Sequence, residues 1–482
     1  GLKNFWLNEG HSFGITAAGG AGWQIAEWIV DGEPTIDMLG VDPRRFGDYA
    51  TEAYLIKKNE EAYANVFTVH YPDEEREACR PLRTAPAYDR QKKLGAQFGQ
   101  VNGWERPNYF GPVGADENFD HQSRSFRRGN WWKYALAEAK AIRNGVGIID
   151  ATAFTKHIVK GPGASGFLDW FTCNKLPNVG RINLTYALTD AGTTRTEYTI
   201  VRLKQDEFYL VSAGAWTDYD ADFLIKSAED KCPEFGYIEI QDVTSQWGVF
   251  AVAGPKSREF LSQLIRDEDQ DTALSNARFP WLSFKRVELA MCPVNAIRVS
   301  YTGELGWELH HPIEFQNHIF DKLMEAGKDL GIKPFGIRAM NSLRVEKSYK
   351  LVGTELSIEY SPYESGLDRF VHPNKGNFIG LEALNKWREK GFDNKLVTLE
   401  VHNTIDSDVL GNNPIYKDDK VVGRATGGEY GFRLDKSIAL AMVKPDLANV
   451  GEKLKVDILG KMYEATILEE SPYDAENKLL RA

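Results

Sequence analysis

Cysteine is scarce: 482 residues contain four, Cys79, Cys173, Cys232 and Cys292, and none forms a CxxC pair. That spacing excludes a zinc finger and a disulfide-built scaffold, and it suits a reducing, cytoplasmic compartment. Long apolar runs are missing too. None reaches the roughly 18 residues a membrane span needs, because glycine or charge interrupts the longest ones, so a soluble protein is expected and no membrane partner. Basic residues are in deficit, leaving a formal net charge of −11, which argues against nucleic acid or an anionic membrane surface as a partner. There is no GxSxG elbow, no HExxH, no P-loop and no histidine cluster. Nucleophilic hydrolysis, zinc chemistry and phosphoryl transfer therefore have no support, and no metal is expected.

What is present is the composition of an ordinary globular enzyme, 42% hydrophobic and 26% charged, in a chain too long for one hydrophobic core. The opening "GLKNFWLNEGHSFGI" lacks the features of a signal peptide and reads as a strand entering a glycine turn, as if the chain began inside a domain. From Gly14 to Val30 small residues precede Ile25, Trp28 and Ile29 at helical spacing. Such a glycine-fronted helix start offers N–H groups to an anion or a polar ring edge, or is simply a packed strand-to-helix turn. A helix is expected near 48–64, strands and loops over 65–110, a linker at Gly111–Phe119 and a helix over Trp131–Asn144.

After Lys156–Lys160, three segments with strand periodicity, Ile182–Thr189, Thr196–Leu203 and Phe208–Ala213, are joined by turns at "DAG" and "KQDE" and predict an antiparallel meander. A strand at Val294–Tyr301 and helices near Ile313–Leu330 and Phe335–Lys347 follow. From about Asn394 short strands recur at regular intervals, which predicts a small terminal β-barrel. The fold class is α+β. The expected units are residues 1–47, 48–119, 120–390 and 391–482.

Three features can carry chemistry. Glu197, in "RTEYTIVRL", shares by period-2 alternation the more apolar strand face with Thr199, Val201 and Leu203. It is either half of a buried ion pair or a carboxylate for a nitrogen-rich ligand. In "RVSYTGELGWELH" a strand carrying Ile297, Val299 and Tyr301 enters a glycine turn holding Glu304, Gly306 and Glu308, which returns the chain beside Tyr301. An aromatic beside a carboxylate suits a flat heterocycle with an amino-amide edge, and the alternative is a tight hairpin with exposed glutamates. In "GIRAMNSLRVEKSYKLVGTEL", Ile337, Met340, Leu343 and Lys347 fall on one helical side, leaving Arg338 and Arg344 for pairing by default or for ligand duty.

Taken in order, "GHSFGITAAGGAGWQIAEWIVDGEP", "VDPRRF", "EEREACRPLR", "GWERPNYF", "VKGPGASGFL", "VAGPKSREFL", "SYTGELGWEL", "RAMNSLRVEKSY" and "VVGRATGGEYG" with "SIALAMVKP" resemble the C-terminal halves of dimethylglycine and sarcosine dehydrogenases. Their later domains are similar to the glycine cleavage T-protein. The resemblance covers nearly the whole chain and implies the end and connecting region of a flavin oxidoreductase domain (1–47 and 48–119), a tetrahydrofolate-binding aminomethyltransferase domain and its barrel. It places Glu197 at the T-protein's catalytic aspartate, one methylene longer. Leu184, Tyr301, Glu308 and Tyr349 fall at folate-lining positions, and Gly10, Gly14 and Ile15 in a partial FAD site. Met340 stands where the T-protein has an arginine for the folate tail.

The implied reaction is capture by tetrahydrofolate of the one-carbon unit of an N-methyl amine oxidised at flavin, through a cavity connecting the two sites. Alternatives are an O- or S-demethylase on the same fold or a non-catalytic folate-binding module. The dinucleotide fingerprint that begins such flavin domains is missing, so FAD requires the rest of that domain from the same longer chain or another subunit. A eukaryotic source would place the protein in the mitochondrial matrix.

Overall fold

The computed structural model describes residues 5–11, 13–115, 124–268 and 270–482. Part of the Gly111–Phe119 linker and the expected boundary at 119/120 lie outside them.

Two sheets and a barrel organise the chain. The predicted meander is the heart of a five-stranded sheet, with strands in the order Ile182–Leu188, Thr194–Lys204, Glu207–Ser212, Thr155–Lys160 and Glu239–Asp242, each antiparallel to its neighbours. Its outer face carries Tyr198, Ile200, Phe208 and Leu210 and packs on Phe167, Leu168 and Phe171 of helix Ala164–Phe171 and Leu224 of helix Thr217–Phe235. A seven-stranded sheet runs Ile265–Arg266, Phe284–Leu289, Cys292–Ile297, Gly306–Pro312, Trp247–Ala253, Gly147–Asp150 and Lys333–Pro334. Its largest core gathers Phe250, Phe260, Phe279, Trp307 and Phe320. Between the two sheets Ile182, Val201, Tyr209, Val211, Val243 and Ile297 form a third apolar layer. That layer matters most, because the functional side chains rise from its edge.

Six strands from Lys395 to Leu468 close into the expected barrel, where pairing of Lys395–Val401 with both Lys436–Val443 and Lys461–Leu468 completes the ring. Alternation puts Val397, Leu399 and Val401 inside, with Ile415, Val456 and Ala465. Helix Ile337–Val345 lies between this barrel and the hairpin of Ala96–Val101 with Trp104–Phe110. Ser342 Oγ donates to the Tyr430 carbonyl on the barrel side. On the other, Glu138 accepts from the Phe110 and Gly336 amides at 2.6 and 2.9 Å, fixing where the helix begins.

Several local expectations change. No strand forms over the described residues 5–11, although the glycine-fronted helix, Gly14–Asp31, does. An unexpected short helix, Tyr88–Lys93, precedes the hairpin. The strand expected to reach Tyr301 ends at Ile297. Among the described residues no helix is long and apolar enough to cross a membrane.

Candidate functional site

The meander register builds the first half of the site. Tyr186 pairs with Glu197 and Leu184 with Thr199, and directly opposed residues in an antiparallel pair share a face. Leu184, Tyr186, Glu197 and Thr199 therefore project together. The expected alternation holds, with Val201 in the inter-sheet layer and Tyr198 and Ile200 on the opposite side. The expectation that Glu197 shares the more apolar face does not hold at its own end. Thr194, Thr196, Tyr198 and Ile200 on the other face are fully covered, whereas Arg195, Glu197 and Thr199 are half-buried.

No ion pair engages Glu197 among the described residues. Its carboxylate accepts a hydrogen bond from the Tyr186 hydroxyl, and the Lys350 ammonium acts on it through space. Burial outweighs both and pushes the Glu197 carboxyl up to about 7. The Lys350 ammonium is itself paired with Glu470, beyond the last barrel strand.

The other half of the site comes from segments over a hundred residues later. Tyr301 has left the sheet, its ring stacks on Tyr349 with centroids 5.7 Å apart, and its hydroxyl donates to the Lys350 carbonyl at 2.5 Å. Glu197 and Tyr301 lie within electrostatic reach of each other. The stretch that carries Tyr349 and Lys350 is held from below. Arg344 donates to the Tyr349 carbonyl at 2.8 Å and pairs with Glu355 at 3.3 Å. Glu355, 0% exposed, also accepts from the Leu351 amide and from the hydroxyls of Thr354 and Thr426. Pairing thus occupies Arg344. It occupies Arg338 as well, which bridges to Asp73 and lies 4.7 Å over the Trp131 ring, while Met340 packs into the neighbouring core.

Glu308 does not return beside Tyr301. The hairpin register sets it opposite Ile297, four residues earlier, so it enters the gap from the seven-stranded sheet while Glu197 enters from the five-stranded one. Close approach at the start of that strand requires a glycine, since a Cβ on Gly306 would lie 2.6 Å from the Val252 carbonyl oxygen. Glu304, from the same turn, is buried and structural, bound by Arg433 and by the Tyr473 hydroxyl, each at 2.8 Å. The exposed-glutamate alternative therefore falls away.

The structure therefore sets Leu184 and Tyr186 beside Glu197 and stacks Tyr301 on Tyr349 within electrostatic reach of it, with Glu308 rising from the facing sheet. Sequence reasoning missed Tyr186, because a bulge between Ala187 and Leu188 shifts the register by one, and unbroken pairing from the "DAG" turn would have set Thr185 opposite Glu197 instead. Lys350 and Glu355 gave no local signal, because their partners lie in the barrel and beyond it.

A half-buried carboxylate without an ion pair, a stacked aromatic pair and a second carboxylate fit a flat, nitrogen-rich heterocycle such as a reduced pterin. The described residues do not in themselves fit a flavin. A Cβ at Gly10 or Gly14 would meet nothing within 4 Å, and Ile15 is 98% exposed, so no cradle encloses a ring there.

Comparison with known proteins places these features. The family described as the GCVT N-terminal domain matches residues 87–375, the glycine cleavage T-protein C-terminal barrel domain matches 394–474, and the FAD dependent oxidoreductase central domain matches 31–85. Mitochondrial dimethylglycine dehydrogenase of Mus musculus is 37% identical over 472 residues, covering 98% of this chain and 53% of that protein. The 4-methylaminobutanoate oxidase (formaldehyde-forming) of Paenarthrobacter nicotinovorans is 31% identical, covering 100% of this chain and 57% of that protein. The chain thus spans about half the length of the curated relatives it matches. The crystal structure of glycine cleavage system aminomethyltransferase T from Bartonella henselae shares the fold, with a TM-score of 0.68 and 22% identity over 82% of this chain and 99% of that one.

Proposed function

Because the chain belongs to the GCVT domain family and carries its C-terminal barrel, we propose that it transfers the one-carbon unit of an oxidised N-methyl amine to tetrahydrofolate, giving 5,10-methylenetetrahydrofolate and the demethylated amine. The observation that carries this reading is Glu197. Its carboxyl titrates near neutrality, is held by Tyr186 and has no ion pair among the described residues, so it can take up and release a proton at working pH. The relatives' names point to amines of the dimethylglycine or 4-methylaminobutanoate kind. The flavin that would oxidise such an amine belongs to the portion of the relatives this chain does not span, and the chemistry described for this chain starts at the iminium.

Tetrahydrofolate, when bound, would supply two neighbouring nitrogens, one in its reduced ring and one on its side arm, that together take the carbon. The Tyr301–Tyr349 stack and Glu308 would hold its ring. Glu197 accepts a proton as the new carbon–nitrogen bond forms and returns it to the amine as the old bond breaks. Both N–H protons displaced by the bridging carbon leave on the amine, so charge balances: one iminium cation enters and one ammonium leaves. The half-buried gap limits water, which would otherwise convert the iminium to formaldehyde.

The test combines this chain with the flavin portion it is proposed to work with, on the same polypeptide or on another subunit, and feeds N-[13C]methyl dimethylglycine and tetrahydrofolate. Label recovered in methylenetetrahydrofolate, and diverted to formaldehyde by Glu197→Gln, supports the reading. Label released wholly as formaldehyde by the unaltered protein contradicts it.

A further inference from the structure

Glu308 is not left to find its own orientation. Its Oε2 lies 3.1 Å from Nε2 of His310, and Nδ1 of the same ring lies 3.0 Å from the Tyr209 hydroxyl. His310 is 0% exposed, and burial lowers its proton affinity below the usual imidazole range even though Glu308 opposes this, so the ring is neutral and carries a single proton. A carboxylate can only accept, so that proton sits on Nε2. Nδ1 is then the acceptor, and Tyr209, whose hydroxyl burial keeps protonated, must donate to it. One arrangement of hydrogens satisfies the whole chain, Tyr209 to His310 to Glu308.

The chain also crosses from one sheet to the other. Tyr209 pairs with Val201 and Ile158 in the five-stranded sheet, while His310 pairs with Asn295 and Val249 in the seven-stranded one. The rings meet edge to face, with centroids 5.5 Å apart and planes at 86°. Around them the inter-sheet layer is apolar, built from Val201, Val211 and Ile297. An imidazole there costs free energy unless both nitrogens are satisfied, and here both are. Lys156 is the other ionisable side chain acting on His310 from the five-stranded sheet, and its ammonium is engaged by the Thr152 and Trp247 carbonyls. The adjacent His311 faces away, stacked on Phe250. Glu308 Oε1 makes no hydrogen bond among the described residues.

We propose that His310 and Tyr209 are positioning residues that tie Glu308 to the opposite sheet and fix its carboxylate in one orientation, with Oε1 presented to the N–H edge of the bound heterocycle. The inference rests on the folate reading above. It makes the separation of Glu197 and Glu308, which come from different sheets, a property of one hydrogen-bonded bridge.

The experiment is an anaerobic calorimetric titration of the full chain with tetrahydrofolate, for the unaltered protein, Tyr209→Phe, His310→Leu and His310→Gln. Breaking the bridge, at the Tyr209–His310 link in Tyr209→Phe and at the His310–Glu308 link in His310→Leu, is expected to weaken binding about tenfold. His310→Gln keeps an N–H donor near the Nε2 position, and its affinity should stay within about threefold of the unaltered protein. Long-range 15N spectra should show His310 protonated on Nε2, with that signature changed in Tyr209→Phe. If His310→Leu does not fold, Tyr209→Phe, which removes one oxygen, decides the matter. No binding by the unaltered protein would overturn the folate reading itself. Binding by the unaltered protein that is equally strong in Tyr209→Phe, or lost in His310→Gln as fully as in His310→Leu, would overturn the positioning role alone.

Discussion

Replacing Glu197 with Gln should make the protein more stable and less active, and the stability gain should depend on pH. In the folded chain burial pushes the Glu197 carboxyl from its ordinary 4.5 up to about 7. The folded state therefore binds this proton more tightly than the unfolded chain. Stability attributable to the neutral form is complete below pH 4.5 and is lost as pH rises towards 7. Each unit by which the pKa is raised corresponds to about 1.4 kcal/mol, so once both states are ionised the carboxylate costs the fold about 3 kcal/mol, as at pH 8. Glutamine has nearly the same shape, never ionises and can still accept from Tyr186. Urea titrations at pH 8 should find Glu197→Gln more stable by up to about 3 kcal/mol, and at pH 5 by less than about 1 kcal/mol. Folate-dependent transfer should fall by roughly 10²–10⁴, and the rise of the unaltered enzyme's rate through pH about 7 should vanish in the variant. A variant less stable than the parent at pH 8, or a gap that does not change with pH, would refute the reasoning, because either result means the carboxylate is already compensated in the folded protein.

Other consequences follow from the same geometry. Tyr349→Ala removes one ring of the stacked pair and should weaken tetrahydrofolate binding by about 1 kcal/mol, measured by calorimetry. Arg344→Met leaves the fully covered Glu355 carboxylate without its cation and should cost about 3–5 kcal/mol in urea denaturation, most of it recovered when Glu355→Leu is added. Arg338→Ala should leave folate affinity within about twofold, since Asp73 and Trp131 already hold that side chain; a larger loss in calorimetry would assign it to the ligand. Leu399→Ala opens a cavity inside the barrel and should lower stability by about 2–5 kcal/mol in denaturation.

Much of the scaffold was legible because it is local. Alternation along "RTEYTIVRL" and the short turns "DAG" and "KQDE" determine the meander, and regular strand spacing after Asn394 determines the barrel. The site was legible as a set of residues but not as an arrangement. Glu308 faces Ile297 rather than Tyr301 because the strand ends at Ile297 and Tyr301 turns to stack on Tyr349, a contact 48 positions away that no local period encodes. Glu197 was expected on the more apolar face, yet the inter-sheet apolar layer reaches Val201 and not Glu197, a property of what packs on the strand and not of the strand itself. The ties of Lys350 to Glu470 and of Glu355 to Thr426 join the barrel to the site across 120 and 71 positions. Their residue types give no hint of this, since a lysine or glutamate in sequence reads as a solvated charge. His310 carries a weak signal, one of two adjacent histidines in the strand Gly306–Pro312, which acquires meaning only when Tyr209 arrives from the other sheet.

The central claim, that this gap is built for a reduced folate, is tested most directly by anaerobic calorimetric titration of the chain with tetrahydrofolate, beside the Glu308→Ala variant. Binding at about micromolar concentration that is lost in the variant is the predicted result. A chain that folds and yet releases no heat of binding would contradict the account.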